Sequence, residues 1–218
     1  MNANLTLDKI GHTVLEGSVA KPTLARLDRK FECGKLHVVG GPSGAGKTTL
    51  LSILSLTVRA AQGMIFHGED NLTALKPSAA AEWRRQNIGM IFQTSRLVQV
   101  MTVKEHIHLA AATRAKPDAI DAGLALIHTL GLGDKLGHRP DQLSGGEKQR
   151  VAVAQALCFN PTVLLADEPT AALDQKNAEL VTHTLRSYAR ERQAVVICVS
   201  HDRAVIDAAD RLLMLEKP

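Results

Sequence analysis

The chain has 218 residues, 45% of them hydrophobic, and a formal net charge of +4. The length fits one domain, with or without a subdomain, and the apolar content is ordinary for a soluble globular protein. The mild positive charge suits an anionic ligand or an anionic membrane face. It is weak support for a nucleic-acid partner, which we do not expect.

Local features argue against membrane-spanning, secreted and disulfide-linked classes. The longest apolar stretches, 50–58 and 194–199, are too short to span a bilayer, and the start of the chain lacks the apolar region of a signal peptide. Cys33, Cys158 and Cys198 are scattered without a CxxC pair, which argues against a disulfide framework or a zinc site. We therefore expect a cytosolic protein, with any membrane part provided by other polypeptides.

The chain up to residue 92 is predicted to alternate between strands and helices. An apolar run leading into glycines predicts a buried strand at 36–40. A helix is predicted at 48–58, at the end of a glycine-rich loop, and another at 78–86, just after Pro77. Further strands are predicted at 64–67 and 88–92.

The next part of the chain, as far as Cys158, is predicted to be helical. Thr102 with Glu105, and Ser144 with Glu147, fit the capping-box pattern at helix starts. The predicted helices are 102–113, 118–130 and 145–159.

Strands and helices alternate again in the last part of the chain. The fully apolar runs 163–166 and 194–199 are typical of central parallel strands with both faces covered. A helix is predicted between them at 178–192, followed by a short helix at 203–209 and a strand at 212–215. The alternation predicts an α/β core with a helical insertion.

Residues 41–48, Gly-Pro-Ser-Gly-Ala-Gly-Lys-Thr, match the phosphate-binding pattern G-x-x-x-x-G-K-[ST]. The glycines allow backbone N–H groups to point at phosphate oxygens, and the N-terminus of the following helix adds positive potential. Lys47 is expected to reach the β and γ phosphates and the Thr48 hydroxyl to hold Mg²⁺. The predicted nucleotide-binding residues here are Gly41, Pro42, Ser43, Gly44, Ala45, Gly46, Lys47, Thr48 and Thr49.

Four further polar side chains follow predicted strands. Asp167 is expected to hold Mg²⁺, usually through water, and the adjacent Glu168 to polarise an attacking water. Gln93 could ligate Mg²⁺ or orient water without adding charge, and His201 could hydrogen-bond the γ-phosphate. Taken alone, a surface glutamine and a structural histidine are the better interpretations of the last two.

Ser144, Gly145 and Gly146 at a helix start form a small anion site in their own right. Free N–H groups, a hydroxyl and the helix dipole face the same way. An ordinary capping box with Glu147 explains the same residues equally well. By physics alone both interpretations remain open.

The order of these motifs resembles that in the nucleotide-binding subunits of ABC transporters, over nearly the whole chain. The matching segments are 41–48 with Walker A, Gln93 with the Q-loop, 143–149 with the ABC signature, 163–168 with Walker B, 172–174 with the D-loop and His201 with the switch histidine. The resemblance implies a P-loop NTPase (RecA-like) core at about 1–93 and 159–218, with an N-terminal antiparallel β region. It also implies a helical subdomain at about 94–158.

The resemblance implies a head-to-tail homodimer that hydrolyses ATP. ATP on the Walker A motif of one subunit would be covered by Ser144, Gly145 and Gly146 of the other. Glu168 would be the catalytic base and His201 would contact the γ-phosphate. Lys47 and Gln93 join the catalytic set, Asp174 joins the nucleotide-binding set, and Thr48, Gln93 and Asp167 would hold Mg²⁺.

The resemblance also implies a membrane partner. Integral-membrane permease subunits would contact the region around Gln93–Thr102, which places the protein at the cytoplasmic face of the cell membrane. The segments 165–174, 200–203 and 209–211 are similar to the ATPases of macrolide efflux, lipoprotein release and haem export, and 93–98 is similar to haem-exporter ATPases. We therefore expect an exporter ATPase with haem as one candidate substrate. Lipoprotein release or drug or peptide efflux are alternatives, and a soluble ABC ATPase outside transport is a remote one.

One position departs from the family pattern. An aromatic residue that stacks on adenine is expected near residue 13, yet His12 to Leu15 contains none. Adenine binding that is weaker, that uses His12, or that is less selective among nucleoside triphosphates would each follow from this.

Overall fold

The computed structural model describes residues 3–17 and 19–218. The strands are β1 Leu5–Glu16, β2 Val19–Phe31, β3 Lys35–Gly40, β4 Gln62–His67, β5 Asp70–Asn71, β6 Ile88–Ile91, β7 Val163–Asp167, β8 Val195–Val199 and β9 Arg211–Met214. The helices are α1 Lys47–Leu54, α2 Pro77–Asn87, α3 Val103–Ala112, α4 Ala119–Thr129, α5 Gly145–Leu157, α6 Gln175–Arg192 and α7 Arg203–Asp207.

These strands form two sheets. A parallel sheet has the order β6-β7-β8-β3-β9, and an antiparallel sheet has the order β2-β1-β4-β5. The expected α/β fold with an N-terminal antiparallel region is therefore confirmed.

The middle of the parallel sheet is buried on both faces, as the apolar runs predict. Along β8, Val196 and Cys198 pack into a cluster with side chains of α3 to α6. The alternate residues Val195, Ile197 and Val199 pack into a second cluster with α1 and the antiparallel sheet. The period of two along the strand thus builds a core on each side of the sheet.

Most predicted elements lie within three residues of the observed bounds, but the helix predicted at 48–58 is too long. It ends at Leu54, and Leu56 follows with a left-handed φ of 56°. The hydroxyls of Ser55 and Thr57 both donate to the Ser52 carbonyl, at 3.0 and 2.9 Å. These side chains satisfy the exposed carbonyl locally and favour a turn over further helix.

The helical segment is joined to the sheet by a close approach of α5 to β6. A Cβ placed on Gly89 of β6 would lie 2.6 Å from the Ala156 carbonyl oxygen of α5. Only glycine allows this distance.

Among the described residues, no helix combines the length and the apolar character that crossing a bilayer requires.

Asp210 joins β3, α6 and β9 through one carboxylate. Its Oδ2 accepts from the Leu36 backbone N–H at 3.0 Å, and its Oδ1 accepts from Arg186 at 2.9 Å and Arg190 at 3.0 Å. Burial acts to raise the pKa of Asp210, but the bond from Leu36 and those from the two arginines outweigh it, so the pKa is lowered.

We expect Asp210→Ala to lower the free energy of unfolding by about 1–3 kcal/mol, because it leaves the Leu36 N–H and two guanidinium groups without their acceptor. Because its pKa is lowered, the ionised Asp210 carboxylate stabilises the fold at pH values above its unfolded pKa of about 3.9. This stabilisation is lost as the pH falls through the folded pKa. Urea titrations at pH 7 and near pH 3 would measure both effects. Asp207→Ala, at an exposed residue of α7, is the control. Equal destabilisation by the two variants would contradict the expectation.

Candidate nucleotide-binding site

Residues predicted for catalysis, nucleotide binding and metal binding converge at the carboxyl edge of the parallel sheet. Asp167 ends β7, while Gly41, Gln93 and His201 follow β3, β6 and β8 within two residues. These four strands are neighbours in the order β6-β7-β8-β3. In open α/β sheets, ligands bind in the crevice outside this edge.

The loop from Gly41 to Thr48 is held by close backbone contacts that exclude side chains. Gly41 has φ 138°, and a Cβ there would lie 2.5 Å from the Leu215 carbonyl oxygen. Gly46 has φ 88°, and its Cβ would lie 2.4 Å from the Thr23 carbonyl oxygen. The loop is thus wedged between the end of β9 and strand β2, which fixes its curvature.

Donor groups converge on this loop. The Lys47 ammonium donates to the carbonyl oxygens of Gly41 at 2.7 Å and Pro42 at 3.0 Å. No side chain caps the N-terminus of α1 in the described part of the chain, so its first N–H groups are available to an anion. This is the arrangement expected of a phosphate site.

Asp167 and Thr48 present oxygen ligands to a common cleft. Burial raises the pKa of Asp167, the neighbouring Glu168 carboxylate raises it further, and the Lys47 ammonium opposes both. A cation would relieve this unfavourable charge, and hydroxyl and carboxylate oxygens are ligands that Mg²⁺ prefers. The residues present therefore fit the expected metal.

Glu168 and His201 are in direct contact. The His201 Nδ1 lies 2.7 Å from Glu168 Oε1, which makes the imidazole the donor to a carboxylate. The glutamate side chain is 12% exposed and the histidine side chain 80% exposed. Glu168 has a left-handed φ of 46°, and its N–H donates to the Val199 carbonyl at 2.9 Å. The backbone at the end of β7 is thus held against β8 in a conformation that costs energy.

Gln93 lies on the surface just after β6, next to a buried amide that sequence reasoning did not single out. Gln149 of α5 is 1% exposed, and its Nε2 donates to the Phe92 carbonyl at 2.9 Å. The residue before Gln93 is therefore attached directly to α5. The available signal was its helical spacing from the apolar residues Val153 and Ala156, which share its buried face.

The structure confirms the capping box at the start of α5. The Glu147 N–H donates to Ser144 Oγ at 3.2 Å, and the Ser144 N–H donates to the Glu147 carboxylate at 2.8 Å. The latter bond is the main cause of the lowered pKa of Glu147. Nothing lies within 4 Å of the position that a Cβ on Gly145 would occupy, so this turn is open to a ligand.

Two other predicted nucleotide contacts have structural partners here. Asp174 caps α6 by accepting from the Asn177 N–H and side-chain amide, each at 2.8 Å. The first of these bonds is the main cause of its lowered pKa. His12 pairs through Nδ1 with the Thr23 hydroxyl at 2.8 Å, and the Thr23 carbonyl packs against Gly46.

A cleft of about 920 Å³ extends from two of the predicted metal-binding residues to a group of arginines that sequence reasoning missed. Thr48 and Asp167 line it, and so do Arg84, Arg85, Arg96 and Arg114. The Arg96 guanidinium lies 3.9 Å from the centre of the Phe92 ring, and that of Arg114 lies 3.6 Å from the Phe159 ring. No short sequence pattern joins all four, because Arg84 and Arg85 lie in α2, Arg96 follows β6 and Arg114 follows α3.

Known proteins share both the sequence and the fold. The family described as ABC transporter matches residues 24–171. The putative hemin import ATP-binding protein HrtA of Staphylococcus aureus strain bovine RF122 is 36% identical over 214 residues, covering 97% of this chain and 96% of the relative. Its counterpart in strain MRSA252 is 37% identical over 203 residues, covering 92% and 91%.

Two solved structures of the cassette MJ0796, described as a bacterial ABC transporter cassette, have the same fold. Its dimeric structure superposes with a TM-score of 0.90 at 29% identity, covering 98% of this chain and 94% of that chain. A dimeric post-hydrolysis state bound to ADP and Pi gives a TM-score of 0.89 at the same identity and coverage. Together with the geometry above, these matches show that the chain belongs to the ABC transporter family, as an ATP-binding subunit with ATPase activity.

Proposed function

We propose that this chain hydrolyses ATP as a head-to-tail homodimer at the cytoplasmic face of the cell membrane, and that it drives a separate permease that exports haem. The observation that carries the catalytic part is the contact between Glu168 and His201, at 2.7 Å, beside the phosphate-binding loop. The proposed base Glu168, the residue His201 that orients it and the phosphate-binding loop then lie at the same edge of the parallel sheet.

Glu168 is the general base in this proposal. Its carboxylate is mostly buried and accepts from His201, which leaves the second oxygen to take a proton from water. The exposed His201 imidazole can reach a γ-phosphate while holding the glutamate in place. Lys47 neutralises charge on the β and γ phosphates, and Gln93 orients the attacking water.

Thr48, Asp167 and Gln93 would hold Mg²⁺, which supplies charge neutralisation on the phosphates when bound. Thr48 and Asp167 line the same cleft, next to the Lys47 ammonium. The other residues of the site position the triphosphate and the attacking water.

A second subunit would complete the site through Ser144, Gly145 and Gly146. The first turn of α5 is open, it carries free N–H groups, and the related cassette MJ0796 was solved as a dimer. Asp174 would approach the nucleotide from the same face. In the single chain, the Ser144 hydroxyl accepts from the Glu147 N–H in the capping box, so its own proton could be donated to the partner's phosphate when the dimer closes.

The permease would bind the arginine-lined cleft and the adjoining segment Gln93–Thr102. Val98 and Val100 expose 42% and 73% of their surface in this segment. Arginines beside exposed apolar side chains fit an amphipathic segment that carries carboxylates. The helices α3, α4 and α5 contact one another and lie within the helical subdomain proposed at about 94–158, with the RecA-like core at about 1–93 and 159–218.

The haem assignment is supported by the relatives' names and by the segment 93–98. Those relatives are named for hemin import, whereas the sequence resemblance implies export. We propose export. Transport assays on the assembled complex would decide the direction.

We expect Glu168→Gln to retain ATP binding and to lower turnover by about 10²-fold or more, the usual scale for losing a general base. Single-turnover hydrolysis with a filter-binding assay for ATP would measure both. Glu69→Gln, at an exposed residue after β4, is the matched control and should hydrolyse ATP normally. Near-normal hydrolysis by Glu168→Gln would overturn the assignment of the base.

Ser144→Asp separates capping from phosphate binding. Aspartate caps a helix as well as serine does, but its charge opposes the partner's triphosphate, so we expect ATP-driven dimers to weaken by at least about tenfold. Size-exclusion chromatography with ATP in the Glu168→Gln background would measure this. Thr102→Asp makes the same change in the capping box of α3 and should leave soluble dimers intact. Undiminished dimers for Ser144→Asp would mean that Ser144 is only a cap.

Arg96→Glu should reduce recovery of the permease on a tagged chain from detergent-solubilised membranes by about tenfold, because the exposed guanidinium at the cleft becomes a carboxylate. Lys30→Glu makes the same charge change on β2 and is the control. Equal recovery of the permease with both variants would contradict the proposal that the permease binds this cleft.

The purified complex also tests the substrate. In proteoliposomes, ATP hydrolysis should rise with hemin and not with a lipoprotein or a macrolide. Hemin should move away from the compartment that holds the ATPase, as export requires. Movement of hemin toward that compartment would contradict export and indicate import. A rise in ATP hydrolysis with another substrate instead of hemin would contradict haem as the substrate.

A further inference from the structure

Arg150, on the second turn of α5, is a buried charge that lacks a full set of partners. The residue is 9% exposed, and its Nε is buried without a hydrogen-bond partner among the described residues. Arginine is seldom buried unless it is paired, because an unpaired buried donor costs free energy. The position of its side chain therefore calls for a physical reason.

The guanidinium lies beneath the first turn of α5. Its Nη1 is 3.9 Å from the position that a Cβ on Gly146 would occupy. The same position lies 3.2 Å from the Leu173 side chain and 3.6 Å from the Ala172 carbonyl oxygen. Helical side chains lean toward the N-terminus, so Arg150 reaches back behind the turn that Gly145 leaves open.

The acidic groups near Arg150 are already held by other donors. Glu147 accepts from the Ser144 N–H, which is the main cause of its lowered pKa, and the charges of Lys135 and Arg150 contribute less. Asp174 accepts twice from Asn177, and the charge of Arg150 is a smaller cause of its lowered pKa. No ion pair involving Arg150 is found within residues 3–17 and 19–218, so its positive charge is not neutralised by direct contact.

We propose that Arg150 supplies buried positive charge to the first turn of α5, so that this turn binds the triphosphate carried by the partner subunit. This inference rests on the proposed function, in which residues 144–146 cover that triphosphate. The Glu147 carboxylate in the same turn would repel a phosphate, and Arg150 offsets it. Because the guanidinium is buried, water and salt screen its field less than that of a surface lysine. Arg150 acts through the turn and is a positioning residue.

The test compares charge with shape at position 150, in a chain that also carries Glu168→Gln. Sedimentation with ATP would give the Kd of the dimer for the parent and for Arg150→Gln, Arg150→Met and Arg150→Lys. We expect the two neutral variants to dimerise about tenfold more weakly, which corresponds to about 1.4 kcal/mol. The lysine variant should recover most of the affinity. Nucleotide binding by the monomer should be unchanged in all of them.

Thermal unfolding of each variant separates this role from a structural one. If Arg150 only supports packing, dimer affinity will follow the unfolding temperature; if its charge matters, affinity will follow charge. Lys104→Gln removes an exposed positive charge on α3 and should leave the dimer unchanged. Arg150→Gln dimers as tight as the parent's, or Arg150→Lys dimers as weak as those of Arg150→Gln, would overturn the inference alone. A parent that fails to dimerise with ATP would overturn the proposed composite site, and this inference with it.

Discussion

The arrangement of the site depends on the pairing of three parallel strands, β7, β8 and β3. Both faces of these strands are covered mainly by apolar side chains, and the polar residues of the candidate site lie at or just beyond the strand ends. The register pairs Asp167 and Val39 with the same residue, Val199, which brings the three strands to an end at one level. The Glu168 N–H and the Ser200 N–H continue this ladder past the strands, at 2.9 and 3.3 Å. The phosphate loop, the carboxylates and His201 meet because of this shared level.

Helix α5 links this edge to the rest of the molecule. Its first turn carries the open Gly145, and one turn later Gln149 holds the Phe92 carbonyl ahead of Gln93. Its middle packs on β6 through the close approach at Gly89. A movement of α5 therefore displaces the chain that leads to Gln93. The cleft next to α5 is lined both by the arginines and by Asp167, so a ligand that binds there contacts the same elements that hold the proposed metal-binding residues.

The sequence predicted the features that are encoded locally. The glycine loop, the apolar strands and both capping boxes depend on residues a few positions apart, and the structure has them where they were expected. The end of α1 was missed because hydroxyl groups of Ser55 and Thr57 compete with the helix, an effect that apolar periodicity does not contain. The arginine cleft was missed because its residues are brought together only by packing.

Pairs that are distant in sequence form an intermediate case. His201 and Glu168 are 33 residues apart, and the histidine alone was better interpreted as structural. Their motif context indicated a shared site, but their direct contact depends on the register between β7 and β8. The proposed role of Ser144 in a dimer cannot be found within a single chain, because half of the proposed site would belong to another subunit.

The left-handed backbone of Glu168 has a consequence for the evolution of this protein. A glutamate held at φ 46° is less stable there than glycine or asparagine, which adopt this region readily. Substitution by either residue would relax the backbone here and remove the proposed base. Selection for thermal stability alone would favour such variants, so a glutamate in this conformation implies a constraint other than stability.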